Sequence, residues 1–257
     1  MMLPGWPTPT KNDIPSFVSY RLGAVLAYKL CDFGSTMHGR EKLEEITRGL
    51  PDGSTLLLCF GEIDCRMHLV KQAQKQQKSF EEVAAECAHR YFSQIVVLKK
   101  KFKIIVWGVV PSTPSEVVLD PRYPHCGTSQ ERNGVSRLFN RGLERLAREH
   151  GVGFVSLFDH LLLDDGSTNP AYYIDQVHLS QRAMPLAVRE FQKVFPSLRV
   201  RLFKNALLTA LPESLQFFLF QVSCEINTAL YLAWTKSKQA VKKLVRPNLH
   251  KETSGTE

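Results

Sequence analysis

Five consecutive apolar residues, Leu56-Leu-Leu-Cys-Phe60, lie between the turn-forming Pro51-Asp-Gly53 and Gly61. A run of that length without polar alternation suits a central parallel strand covered on both faces, because a half-exposed strand would show a polar residue at every second position. That requirement points the chain to an α/β arrangement. Past Gly61 the character reverses: Glu62, Asp64, Arg66 and His68 follow in close order and read as a polar, charged loop. Open α/β sheets gather ligands beyond the carboxyl ends of their strands, so a site is expected here. An ion-paired loop without chemical function fits this segment by itself equally well.

The flanking chain supplies the rest of the pattern. Residues 1–15, with Pro4, Pro7, Pro9 and Pro15, read as an irregular arm. A short strand is expected at Phe17-Val-Ser-Tyr20 and a helical turn across Leu22 to Tyr28, then a helix from Arg40 to Leu50 burying Leu43, Ile46 and Leu50. Ser79-Phe-Glu-Glu82 matches a capping box and opens a long helix with Phe80, Val83, Ala84, Cys87, Tyr91, Ile95 and Val96 inward. Phe102 to Val110 reads as the next strand, and the proline-rich connection 111–130 is long enough to cover a site. A helix from Arg132 to His150, a strand from Gly151 to Phe158 and a helix from Ser180 to Val194 complete the series. Strands alternating with amphipathic helices argue for a parallel sheet with helices on both faces.

With 257 residues, one core and an extension are expected. The expected divisions are an arm at 1–15, an α/β domain at 16–198 and a basic helical extension at 199–257. In the extension, Leu215, Phe218, Leu219, Val222, Ile226, Ala229, Leu230, Ala233, Val241 and Leu244 fall on one helical stripe, and Pro212 suits the first turn. Three settings fit such a helix: folded back on the body, paired with another copy, or lying on an anionic membrane surface. The first best explains how Phe217, Phe218 and Phe220 avoid forming an exposed patch. Of the formal charge of +8, the stretch from Arg201 to the end holds half: eight Lys/Arg (201, 204, 236, 238, 242, 243, 246, 251) against four Glu (213, 225, 252, 257) leave +4. These basic residues do not alternate with aromatics as a nucleic-acid stacking platform would need, so no nucleic-acid partner is expected.

The six cysteines show no paired short spacing, and several sit inside apolar patterns, as in a reduced, cytoplasmic protein. Neither Cys-x-x-Cys nor His-x-x-x-His occurs, so no structural zinc is expected, and His125-Cys126 alone is too few donors. The first ten residues lack the basic and apolar regions of a signal peptide, and no stretch of about 20 residues is apolar enough to span a bilayer.

Asp175-Gln-Val-His178-Leu-Ser180 is the second polar cluster. Asp175 can accept from one imidazole nitrogen of His178 and leave the other as a base, the carboxylate fixing the tautomer and stabilising the imidazolium as it forms. The same spacing also suits a pair that only caps the following helix. Its position after the last strand and before the final helix, with a Gly-x-x-Asp segment on an earlier strand, favours the chemical use.

On these residues the chain resembles the SGNH, or GDSL-like, hydrolase superfamily. Asp175-Gln-Val-His178 matches that family's Asp-x-x-His motif. Phe60-Gly-Glu-Ile-Asp-Cys-Arg66 resembles its Gly-x-Asn-Asp segment, and Leu138-Phe-Asn140 through Phe154-Val-Ser-Leu-Phe158 resembles the helix and strand leading to the histidine. The resemblance spans roughly residues 20–195. It implies a flavodoxin-like three-layer α/β/α sandwich, a metal-free and cofactor-free mechanism, and an acyl ester or acylated saccharide as substrate. It makes His178 the base and Asp175 its orienter, with Gly61, Glu62, Asp64 and Arg66 on the substrate and oxyanion side.

The chain departs from that family in two ways. It contains no Gly-Asp-Ser, and Ser16, Ser19, Ser35 and Ser112 are poor substitutes for the nucleophile; the family's first strand is expected to be missing, by truncation or loss. Ile63 stands where the family has an oxyanion-binding asparagine, and losing one such donor costs about 10²–10³ in rate. Arg66 has two readings, a substitute donor for the oxyanion or an anionic substrate group, or a salt bridge to Asp64 or Glu62. Two functions therefore stand side by side: an ester hydrolase, and a pseudo-hydrolase that binds a glycan or protein partner.

Overall fold

A computed structural model describes residues 16–196, 200–203 and 205–245, the last seven of these as backbone alone. The arm at 1–15 and the tail from 246 lie outside the described residues. The chain is a mixed α/β fold around three parallel strands, β1 (Thr55–Leu58), β2 (Lys103–Trp107) and β3 (Gly153–Val155), in that spatial order. Leu57 stands opposite Ile105, and Ile105 opposite Gly153, so β2 is the inner strand. It is correspondingly the most buried of the three.

Side chains alternate across a strand, and β2 accordingly feeds two cores. Ile104 and Val106 join Leu58, Val83, Cys87, Tyr91, Phe139 and Leu143 on one side. Ile105 and Trp107 join Leu157, Val188, Phe191, Phe220 and Cys224 on the other. The first side is closed by α1 (Gly39–Arg48), α2 (Leu69–Gln76), α3 (Phe80–Lys99) and α4 (Ser129–His150), the second by α5 (Met184–Val194) and the extension.

The long helices begin where local chemistry says they should. Ser79 Oγ accepts from Glu82 N while Ser79 N donates to Glu82 Oε2, the capping box that opens α3. An equivalent pair, Thr128 with Glu131, starts α4 at Ser129 rather than at Arg132. The Thr-x-x-Glu signal for that earlier start is in the sequence. Where α3 and α4 cross, a Cβ on Gly142 would lie 3.2 Å from that of Ala88. The glycine thus allows a close approach of the two helices.

Three expectations are overturned. No strand forms at 17–20; that segment is irregular, and the first regular element among the described residues is α1. Glu62 to His68 is not a loop: the chain is helical from residue 62, passes through a π-helical stretch, Asp64–His68, and continues directly into α2. Gly61 makes this possible with φ +106°, a left-handed turn at which an added Cβ would meet Phe139 at 2.5 Å. The Glu62/Arg66 pair, four residues apart on a helix, was the unread helical signal.

The third concerns the extension, which comprises α6 (Ala206–Thr209) and α7 (Glu213–Val245). α7 lies against α5 and the 3-10 turn Gln181–Ala183, but with a different face from the expected stripe. Phe217, Phe220 and Cys224 face the body, whereas Leu215, Phe218, Val222, Ile226 and Leu230 are exposed. Polar ties select this face: Arg182 N donates to Thr228 Oγ1, Asn227 Nδ2 donates to Gln181 Oε1, and Arg182 pairs with Glu225. Hydrophobic periodicity does not register such ties. The stripe positions Val241 and Leu244 fall where only backbone is described.

Candidate active site

Beyond the carboxyl end of β2 the backbone is clamped by two asparagines of α4. Asn140 accepts from Val109 N through Oδ1 (2.8 Å) and donates to Val109 O through Nδ2 (2.7 Å). Asn133 accepts from Ser112 N and donates to Thr168 Oγ1, whose hydroxyl donates to Ser112 O. Buried backbone polar groups need partners, and side chains supply them where the sheet ladder has ended. The Tyr173 hydroxyl donates to Pro111 O at 2.6 Å and fastens the Asp175/His178 segment to the same strand end. Burial raises the Tyr173 phenol strongly, and the nearby Glu62 carboxylate adds to the shift.

The Asp175–His178 segment is the tip of a narrow hairpin, with Tyr173 bridged to Leu179 and Ile174 N donating to His178 O. Asp175 Oδ1 accepts from the amides of Val177 (2.8 Å) and His178 (2.7 Å), while Oδ2 lies 2.7 Å from His178 Nδ1. One carboxylate therefore fixes both the turn and the ring. Burial pushes the Asp175 carboxyl up, but the bonds from His178 and the two amides outweigh it and hold the group below its usual value. With Nδ1 on the carboxylate, Nε2 is the nitrogen available as a base. Both side chains keep more than a third of their surface in solvent.

The connection 111–130 runs over this hairpin. Gln176 accepts from Asp120 N and donates to Val117 O, and the Tyr123 ring stands edge-on to His178 with centroids 5.4 Å apart. Its neighbour Pro124 offers its carbonyl to Arg66 Nη1, and Cys126 N donates to Arg66 O. Two consecutive residues thus reach the His178 cluster on one side and the Glu62–Arg66 cluster on the other. Consecutive Cα atoms are about 3.8 Å apart, so both clusters border the same end of the sheet.

Arg132 holds that connection in shape. Its side chain is fully buried and donates to Ser112 Oγ, Thr113 O, Ser115 O and Gly127 O, with His125 Nδ1 at 3.1 Å. Burial and the adjacent Arg132 charge both lower the His125 imidazole. Arg132, Tyr123, Asn133, Asn140 and Gln176 were not singled out from the sequence. Only the Asx and capping signals near α4 hint at them, because their partners are distant in the chain.

The remaining sequence candidates are placed as follows. Arg66 is 5% exposed and pairs with Glu62 at 2.5 Å, which is the salt-bridge reading rather than the free-donor one. Glu62 is partly exposed near Tyr173. Asp64 is fully buried, its oxygens accepting from Ala27 N (2.8 Å) and Tyr28 N (3.1 Å), so it braces the segment before α1. Gly61 is the pivot that starts the helix. Of the serines considered, Ser16 accepts from Arg201 N, Ser35 from Gly39 N and Ser112 from Arg132 Nε. Among the described residues no group of three His, Cys, Asp or Glu side chains is arranged to hold a metal, and no helix is long and apolar enough to cross a membrane. All six cysteines are free.

No family model matches the chain, and no curated protein matches it. Solved structures similar to it at low levels include two enzymes or enzyme-like proteins. A gut microbial diltiazem-metabolizing enzyme aligns at 13% identity and a TM-score of 0.42, over 67% of this chain and 37% of that one. A protein of Bacteroides fragilis provisionally named an acylhydrolase aligns at 14% identity and a TM-score of 0.44, over 69% of this chain and 73% of that one. This chain therefore spans little more than a third of the length of the first. At that level of similarity neither sets the architecture or the activity.

Proposed function

We propose that this chain is a hydrolase domain of the SGNH type, a three-layer α/β/α sandwich acting on an acyl ester or acylated saccharide. The observation that carries the reading is the 2.7 Å contact between His178 Nδ1 and Asp175 Oδ2 on a hairpin at the carboxyl end of a parallel sheet. In this reading His178 Nε2 takes a proton from water as the water oxygen bonds to the ester carbonyl carbon. The imidazolium, stabilised by Asp175, then returns that proton to the leaving alkoxide as its bond to carbon breaks. Tyr123 supports one edge of the ring, and in this reading Gly61 with the Glu62–Arg66 pair stands on the substrate side. Water replaces the family's serine, so the rate is low.

Hydrolysis of p-nitrophenyl acetate tests this. Slow turnover is expected, abolished in His178→Ala with unchanged thermal unfolding, and abolished also in Asp175→Asn, whose hairpin loosens; turnover equal in wild type and both variants would refute it.

A second reading is favoured by a specific observation: Arg66 is committed to Glu62 and Pro124, and Ile63 offers no side-chain donor to an oxyanion. On that reading the chain is a pseudo-hydrolase whose hollow binds a glycan or a protein partner. Binding of an acylated saccharide without any turnover, weakened by Tyr123→Ala, would select it.

A further inference from the structure

The outer face of α7 is a continuous apolar stripe that nothing in the described residues covers. Leu215, Phe218, Val222, Ile226 and Leu230 recur at helical spacing and are 41%, 59%, 39%, 53% and 54% exposed. Together they run roughly 24 Å along the helix at 1.5 Å per residue. Scattered apolar side chains on a surface need no explanation, but an aligned row of this length does. The opposite face is used up on the body through Phe220, Cys224 and Thr228, so the helix cannot roll to hide the stripe.

Charge decides what fits against it. Between Leu215 and Leu230 the one carboxylate, Glu225, is already paired with Arg182 at 2.8 Å. Where the stripe ends, Tyr231 and Trp234 pack together, Lys238 lies over the Trp234 ring at 3.8 Å, and Lys236 and Lys238 are exposed. The sequence continues with Lys242, Lys243 and Arg246. A second copy would bring the same lysines and no unpaired carboxylate within the stripe. An apolar face with amphipathic aromatics and lysines at its end matches the acyl boundary, the headgroup level and the negative charge that a surface-lying helix meets on a membrane.

A second apolar feature lies beside the same hairpin. Val117, Val118 and Leu119 form an exposed tip of the connection 111–130, with Arg122 also exposed, and Gln176 bonds to Val117 O and Asp120 N. Arg182, just past that hairpin, donates from N to Thr228 Oγ1 and from Nη1 to Ala171 O, so α7 packs beside the hairpin's base.

We propose that the outer face of α7 docks this protein on an anionic phospholipid bilayer without crossing it. The inference does not depend on turnover at His178. The test is co-sedimentation of the full chain with vesicles of phosphatidylcholine alone and of phosphatidylcholine with phosphatidylserine. Binding at least tenfold tighter to the anionic vesicles is expected, falling as salt is raised. Ile226→Ser/Leu230→Ser should abolish it, and Lys236→Glu/Lys238→Glu should weaken it by roughly fivefold for each lysine lost. All four substitutions are at solvent-facing positions, and thermal unfolding checks that the fold is kept; if the serine pair misfolds, the glutamate pair carries the test. Absence of binding to anionic vesicles, or equal binding to neutral ones, would overturn the proposal. So would a dimer in sedimentation equilibrium that Ile226→Ser/Leu230→Ser dissociates.

Discussion

Asp64→Asn separates a structural brace from a substrate-handling group. The Asp64 side chain is fully buried, with one oxygen on Ala27 N, the other on Tyr28 N, and Cys87 Sγ 3.7 Å from Oδ1. Asparagine keeps the shape but replaces one acceptor with an NH2 group, so one of the two amides faces a donor. A buried amide left without an acceptor costs about 1–3 kcal/mol, and hydrogen bonds to a charged group contribute about 1.5–3 kcal/mol. Relief from burying a carboxyl in an apolar core offsets part of this, and a net loss of about 2–4 kcal/mol is expected. For a domain of this size that corresponds to a fall in melting temperature of roughly 4–16 °C. Burial raises the Asp64 pKa, with the two amide bonds opposing it. A raised carboxyl contributes most below its unfolded value and loses that contribution as pH rises through the folded one. The gap between wild type and variant should therefore narrow from pH 4 towards neutrality. Urea unfolding followed by far-ultraviolet circular dichroism measures the loss, and limited proteolysis across residues 26–38 shows whether the braced segment loosens. An unchanged midpoint together with loss of His178-dependent turnover would refute the brace and return Asp64 to the substrate side.

Arg132→Met should leave the Ser112, Thr113, Ser115 and Gly127 acceptors without their common donor and cost about 2–5 kcal/mol. Faster proteolysis within residues 112–127, ahead of global unfolding, is the expected signature, and protection equal to wild type would count against Arg132 as the organiser of that connection. Acid should loosen the hairpin and its cover together. Arg122 holds Asp120 down at about 2, and Asp175 is lowered as well, so their contributions are complete above the usual carboxylate value of 3.8 and are lost as pH falls towards 2. Amide exchange at Val177 and His178 measures this, and protection unchanged between pH 5 and pH 2.5 would contradict the assignment.

Features set by neighbours in the chain were legible in the sequence. The Ser79/Glu82 box, the inward face of α3 and the Asp175–His178 spacing each depend on contacts within a few residues, and each has its local structure; the apolar run from Leu56 does give a strand, but a partly buried one at the edge of the described sheet rather than the expected central one, because its place depends on distant partners. What depends on distant contacts was not legible. Asp64 and Arg66 stand two residues apart with similar polarity, yet one is sealed under Ala27 and Tyr28 while the other spans from Glu62 to Pro124. The strand expected at Phe17 fails for the same kind of reason: a short apolar run becomes a strand only where a neighbouring strand offers its ladder, and the described sheet runs only from β1 to β3. On α7 both faces carry apolar side chains, and composition could not choose between them. Arg182, Gln181 and Thr228 chose, through polar contacts 43–46 residues apart. Sequence fixes periodicity and capping because these are short-range chemistry, whereas which charge is buried and which face is left in solvent is decided by partners that only the folded chain brings together.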